Sequence, residues 1–179
     1  MTRSLSGLLS ATALTLGLAL ATPFAAAAET LLTAAQPQGP VLLTASGAIA
    51  GPEGKQVVEL DQAMLDGLPK VTFTTTTIWT EGPQEFTGVP LGALLTALGA
   101  KGKTLAATAE NDYSIEIPIE DWPQGLEPVV AYARNGKAMS IRDRGPLWIV
   151  YPYDSDARLR TEVIYSRSIW QLNRIEVRP

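Results

Sequence analysis

Val71-Thr72-Phe73-Thr74-Thr75-Thr76-Thr77-Ile78-Trp79, followed by Phe86-Thr87-Gly88-Val89-Pro90-Leu91 and a leucine repeat that ends at Gly99, is the stretch whose reading decides the fold. Five threonines and Ile78 sit there with Val71, Phe73 and Trp79, and a run so rich in β-branched and aromatic residues predicts a strand over 71–79. Glu81-Gly82-Pro83 predicts a turn, and 84–89 a returning strand beside the first. Leu91, Leu94, Leu95 and Leu98 then recur at i, i+3, i+4 and i+7, which predicts a helix over 90–98 with Pro90 at its first position. Its apolar stripe must pack on a sheet. Four buried leucines contribute roughly 1.5–3 kcal/mol each, so this segment reads as core.

Outward from this stretch the chain reads as short strands. On the N-terminal side, 41–47 is a β-rich run stopped by Gly47, Gly51-Pro52-Glu53-Gly54 is a turn, and 56–60 is a second strand. Asp61 can cap a short helix over 62–67 by accepting from an orphan amide of its first turn, with Gly67 at the far end. On the C-terminal side, 104–109 predicts a strand, and Tyr113, Ile115, Ile117 and Ile119 alternate with polar residues in another whose Pro118 marks an edge. Asn135-Gly136 between 129–133 and 137–141 predicts a type I′ hairpin, because both residues tolerate positive φ. The apolar run 147–151 predicts a buried strand, and 169–177 a last segment with Leu172, Ile175 and Val177 in the core.

Composition limits the chemistry. The 179 residues contain no cysteine and no histidine, which removes thiol and imidazole nucleophiles, zinc sites of the usual N/S type, histidine-ligated haem and disulfides. With 14 Lys+Arg against 18 Asp+Glu and no basic run, nucleic acid is excluded as a partner.

Arg3 precedes an uncharged stretch, Leu8 to Ala28, that ends in four alanines before Glu29. It predicts a secretory signal over 1–28, a flexible leader over 29–40 and one domain over 41–179. An uncleaved anchor is the rival, since the stretch is about long enough to span a bilayer; Pro23 and the alanine cluster favour cleavage. The expectation is an exported, periplasmic protein free of the membrane once the signal is removed.

The order of these pieces carries a resemblance. Gly47 in a first strand, the threonine-rich strand to Trp79, Phe86 to Leu91 opening a leucine helix, Gly99, Asn111-Asp112-Tyr113, Asn135-Gly136, Gly145-Pro146-Leu147 to Pro152 and a final Trp170 to Val177 strand resemble the oxidoreductase molybdopterin-binding domain over most of 41–179. This is the fold of sulfite oxidase and of the catalytic subunit of the periplasmic methionine sulfoxide reductase. The resemblance implies an α+β domain, mostly β, with few helices. In catalytic members it also implies a pterin-bound molybdenum ligated by a cysteine a few residues before the tryptophan that Trp79 resembles.

Thr75-Thr76-Thr77 stands in the place of that cysteine, and a hydroxyl is a hard, weakly acidic ligand where a soft thiolate is wanted. Catalytic relatives also carry a basic, glycine-containing loop for the cofactor phosphate after the Gly-Pro-Leu strand. Here Tyr153-Asp154-Ser155-Asp156-Ala157-Arg158 supplies two carboxylates, which repel an anion.

The expectation is therefore a scaffold without cofactor, metal ligands or catalytic residues, which binds a small molecule or a periplasmic protein partner. The alternative is an active molybdopterin-dependent oxidoreductase with a non-cysteine molybdenum ligand. The candidate binding residues, around the vestigial pocket, are Trp79, Asp112, Tyr113, Arg144 and Tyr153. Each has a plainer reading: Asn-Asp is commonly a turn, Arg142-Asp143-Arg144 a locally paired loop instead of an anion clamp, and buried aromatics core. Glu116 with Glu120 or Asp121 shows no sign of converging as an acid/base pair.

Overall fold

The computed structural model describes residues 32, 36–50, 57–119, 122 and 126–179. The expected signal, most of the expected leader, the Gly51–Gly54 turn, Glu120 and Asp121 lie outside the described residues.

Ten strands and three short α-helices follow in the order β1 (Leu43–Gly47), β2 (Val57–Leu60), α1 (Gln62–Asp66), β3 (Val71–Thr75), β4 (Gln84–Pro90), α2 (Leu91–Ala97), β5 (Thr104–Ala109), β6 (Ser114–Pro118), β7 (Val129–Arg134), β8 (Lys137–Ala138), β9 (Trp148–Val150), α3 (Glu162–Ser166) and β10 (Leu172–Arg178) among the described residues. The class is α+β, mostly β, as the sequence predicts. One sheet has the order β2-β1-β10-β5-β6; the other runs β3-β4-β7-β8, with β9 also on β7. The pairings are antiparallel except β1 with β10, which runs parallel in register Thr44 to Arg174 through Gly47 to Val177. Leu105, Ala107 and Ile175 of the first sheet and Phe86, Val130 and Ile149 of the second join one hydrophobic core.

The leucine helix forms as its periodicity predicts, with Leu91, Leu94, Leu95 and Leu98 all buried. Gly99, at φ +59°, ends it: its amide reaches the Thr96 carbonyl at 2.9 Å and the Ala100 amide reaches Leu95 at 2.9 Å, the paired bonds of a Schellman stop. Pro90 corrects the expected boundary. It stays extended (φ −52°, ψ 133°) as the last residue of β4, opposite Val129, and the helix begins one residue later.

Gly88 is needed for a different reason. The register against β7 steps from Ala133 to Ala131 between Thr87 and Gly88, and the strands approach so closely there that a Cβ on Gly88 would lie 2.2 Å from the Val130 carbonyl oxygen.

Three further boundaries differ from expectation. β3 stops at Thr75 instead of running to Trp79, because the Thr76 amide donates to the Asp154 carboxylate at 2.6 Å instead of to a strand. The strand after the hairpin holds only Lys137 and Ala138, although Asn135 (φ +51°) and Gly136 (φ +72°) take the expected turn conformation. Helix α3 is not predicted at all. Thr161 caps it, its Oγ1 accepting from the Ile164 amide at 3.3 Å.

Asp61 caps α1 as predicted, accepting from the Met64 amide at 2.9 Å. The same carboxylate takes the Gln38 and Gly39 amides at 2.7 and 2.9 Å, so the chain entering β1 is tied to α1. These amide bonds hold its pKa below the ordinary carboxylate value. No helix among the described residues is long and apolar enough to cross a membrane.

Candidate functional site

Where β3 ends, Thr77 Oγ1 accepts from the Trp79 amide at 3.1 Å and bonds the Thr80 hydroxyl at 2.8 Å, a local turn that sets the Trp79 backbone. Trp79 is half-buried at the centre of an aromatic cluster. Trp148 and Tyr153 lie beneath it, with centroids at 5.8 and 6.4 Å, while Tyr165 and Trp170 stand across it at 86° and 72°, centroids 5.8 and 5.6 Å away. All these contacts are tilted or edge-to-face, the arrangement favoured by the ring quadrupoles.

Trp79, Tyr165 and Trp170 line a cleft of about 400 Å³ with Ala109, Asn111 and Tyr113 from the β5–β6 turn and Ser166, Ser168 and Ile169 after α3. That volume suits a small molecule. Its floor is fixed by hydrogen bonds: the Tyr153 hydroxyl donates to Ser168 Oγ at 2.6 Å, Ser168 Oγ donates to the Ile164 carbonyl at 2.9 Å, and Trp148 Nε1 donates to the Ser168 carbonyl at 3.2 Å. Burial pushes the Tyr151 and Tyr153 phenols up, so both stay protonated at neutral pH.

Of the five residues singled out in the sequence, Trp79 and Tyr113 share this cleft. Tyr153 is buried below it, against Trp79. Arg144 lies outside the lining, its guanidinium over Trp148 and Trp170 at 5.6 and 5.7 Å from the ring centroids, a cation–π contact that braces the cluster. Asp112 sits at the tip of the β5–β6 turn at φ +64°, paired with Arg174, and does not face the cleft lining. The lining residues Asn111, Tyr165, Ser166 and Ser168 were not singled out. Tyr165 and Ser166 come with the unpredicted α3, and a Thr161-Glu162 N-terminus ahead of three bulky residues was the signal that could have revealed it.

The threonine stretch and the acidic loop meet. Thr75 is fully buried, and its Oγ1 accepts from the Asp154 amide at 3.1 Å. Thr76 donates its amide and its hydroxyl to the Asp154 carboxylate at 2.6 and 2.7 Å. The hydroxyl bond, then the amide, holds Asp154 below the ordinary carboxylate value. Arg158 binds Asp156 at 2.6 Å and brings that carboxyl down to about 2. Asp143 is taken by the Ser140 hydroxyl at 2.7 Å and approached by Arg134 at 3.8 Å, so its carboxylate is locally engaged.

No family model matches the chain, and no curated protein matches it. Among solved structures it is similar to the crystal structure of the sulfane dehydrogenase SoxCD from Paracoccus pantotrophus, with a TM-score of 0.57 and 19% identity. The match covers 82% of this chain and 40% of that one, so the chain spans well under half of its structural neighbour. At that identity the likeness is one of fold. It agrees with the α+β, mostly β fold that the order of motifs implies.

Proposed function

We propose that the chain is an exported small-molecule binding module which uses this fold without the pterin cofactor. The observation that carries the reading is the cleft: a space walled by Trp79, Tyr113, Tyr165 and Trp170, floored by a hydrogen-bonded frame, with no charged side chain among the described residues of its lining. Such a site binds by shape, aromatic contact and a few hydrogen bonds. It needs no reacting group.

The threonine stretch argues against a molybdenum pterin. The three hydroxyls that stand where the family places its thiolate already bond inside the protein, Thr75 and Thr76 with Asp154 and Thr77 with Thr80. Freeing Thr75 or Thr76 as a ligand would break a bond that joins β3 to the acidic loop, and freeing Thr77 would break the turn that sets Trp79. The Asp154 and Asp156 carboxylates would then face an anionic phosphate.

Protein recovered from its exported compartment, with the host's cofactor pathway active, tests both halves. Its mature N-terminus should fall at or next to Glu29, and it should contain neither stoichiometric molybdenum nor extractable pterin. Near-stoichiometric molybdenum, lost on Thr75→Ala, Thr76→Ala or Thr77→Ala, would establish the oxidoreductase alternative instead. A thermal-shift screen then locates ligands, since a compound at a hundredfold excess over its Kd stabilises the native state by about 2.7 kcal/mol. Hits should weaken in Trp170→Leu, whose ring stands partly exposed at the cleft.

A further inference from the structure

Away from the cleft, the hairpin of β7 and β8 holds two like charges against each other. Arg134 and Lys137 are direct partners in its register, so both side chains leave the same face of the ladder, where like charges destabilise a pair. The turn that sets their spacing is fixed. Asn135 (φ +51°) and Gly136 (φ +72°) form it, and Asn135 is fastened to β4: its amide donates to the Glu85 carbonyl at 2.8 Å, its Oδ1 accepts from the Glu85 amide at 3.0 Å and its Nδ2 donates to Gln84 Oε1 at 2.9 Å.

Little in the protein answers those charges. Arg134 and Lys137 line a pocket of about 300 Å³ with Asn135, Ala138, Met139 and Asp143. The Arg134 side chain is only 20% exposed, yet among the described residues its guanidinium makes no hydrogen bond, and its one ionic neighbour, Asp143, stands at 3.8 Å, beyond hydrogen-bond length. The Asp143 side chain is 59% exposed and accepts the Ser140 hydroxyl at 2.7 Å, so its charge is shared with solvent and with its own turn. Five N–H donors with limited access to water and no acceptor in the protein are a costly arrangement. An anionic acceptor in the pocket relieves both this cost and the repulsion between the two cations.

We infer that this pocket is a second ligand site and that it binds a small monocarboxylate. The lining carries two cations and one anion, a net single positive charge that one carboxylate neutralises, whereas a doubly charged phosphate leaves an excess beside Asp143. A carboxylate also matches the planar fork of Arg134, with Lys137 as a point charge beside it. Buried Met139 and the adjacent Ala138 give an apolar wall for a short alkyl tail. The pocket shares no lining residue with the aromatic cleft, so the inference stands apart from the reading of that site.

Propionate would be titrated into the protein at constant ionic strength while the methionine methyl resonances are followed. Met139 in the lining is the reporter, and Met64, in α1 and outside the lining, is the control. The uncharged isostere propionamide and inorganic phosphate would be titrated in parallel. Saturable movement of Met139 alone is expected, with propionamide about tenfold weaker or worse. Lys137→Gln, at an exposed position, should weaken propionate, Arg134→Gln should abolish saturation, and Asp143→Asn, which removes the nearest repelling carboxylate, should tighten binding. Damage to the fold does not produce effects of opposite sign at Lys137 and Asp143, so these two variants decide the matter if Arg134→Gln melts early. Equal responses to propionate and propionamide overturn the inference, as does a preference for phosphate. It is equally overturned by affinities unchanged in the Lys137 and Asp143 variants, by Met64 moving as far as Met139, or by no saturation below about 100 mM.

Discussion

Asp154 shows how one side chain can decide where a strand ends. Its carboxylate accepts the Thr76 amide and hydroxyl at 2.6 and 2.7 Å, and its own amide donates to Thr75 Oγ1 at 3.1 Å. The β3 ladder gives way at Thr75 to a turn that carries Trp79 into the aromatic cluster. Asp61 does similar work at α1 by accepting from Met64, Gln38 and Gly39. Hydrogen bonds to the charged form place both folded-state pKa values below the ordinary 3.8, so the folded protein binds these protons less tightly than the unfolded chain. Their stabilisation is complete above that value and is lost as pH falls through the lower folded-state values. With no histidine in the chain, no side chain of ordinary pKa titrates between about pH 5 and 8. Melting temperatures followed by circular dichroism should therefore be level across that range and fall below about pH 4. Asp154→Asn combined with Asp61→Asn should flatten the acid decline, and an unchanged decline would count against this account. At neutral pH Asp154→Ala should cost about 1 kcal/mol or less, because the bonds it removes are solvent-screened.

Helix α2 is the element whose role is easiest to measure. Leu95 is 4% exposed and belongs to the core shared by both sheets, so Leu95→Ala should lower unfolding free energy by about 2–5 kcal/mol in urea titrations. Exposed Thr96→Ala, one residue on, should change it by less than about 0.5 kcal/mol. Comparable losses at the two positions would contradict the packing described. The contrast with α3 explains what the sequence could and could not convey. The α2 leucines repeat at helical spacing between β4 and a glycine stop, and local pattern alone reveals them. Glu162-Val163-Ile164-Tyr165-Ser166 is rich in β-formers, and its helical state follows from the Thr161 cap and from docking Tyr165 against Trp79 and Tyr153. The stretch 71–79 misleads in the same way: threonine propensity predicts strand throughout, and the residue that ends it lies 78 positions further on. Part of the cleft was likewise illegible, because Asn111 from one turn meets Tyr165, Ser166 and Ser168 only through tertiary packing. Aromatic identity did point to Trp79, but no local signal distinguishes Tyr153 below the floor from Tyr165 in the wall.

At the scale of the whole molecule, the last strand in sequence is the middle strand of a sheet. β10 pairs in parallel with β1 and antiparallel with β5, so residues 43–47 and 104–109 are joined only through residues near 172–178. Leu172, Ile175 and Val177 are each at most 1% exposed, and their burial alone is worth roughly 1.5–3 kcal/mol per side chain. A domain of this size has a total stability of about 5–15 kcal/mol, and the chain has no cysteine with which to hold an incomplete core. Deleting 172–179 removes those three side chains and leaves unpaired ladder groups along both β1 and β5. The remaining strands cannot slide together to close the gap, because β1 is held on its other side by β2 and β5 by β6. The truncated chain should therefore lose its cooperative thermal transition and its dispersed amide spectrum, whereas deletion of Pro179 alone should leave both unchanged. A sharp melt within a few degrees of the full chain after removal of 172–179 would mean that the first sheet does not depend on its central strand, and the architecture described would be wrong.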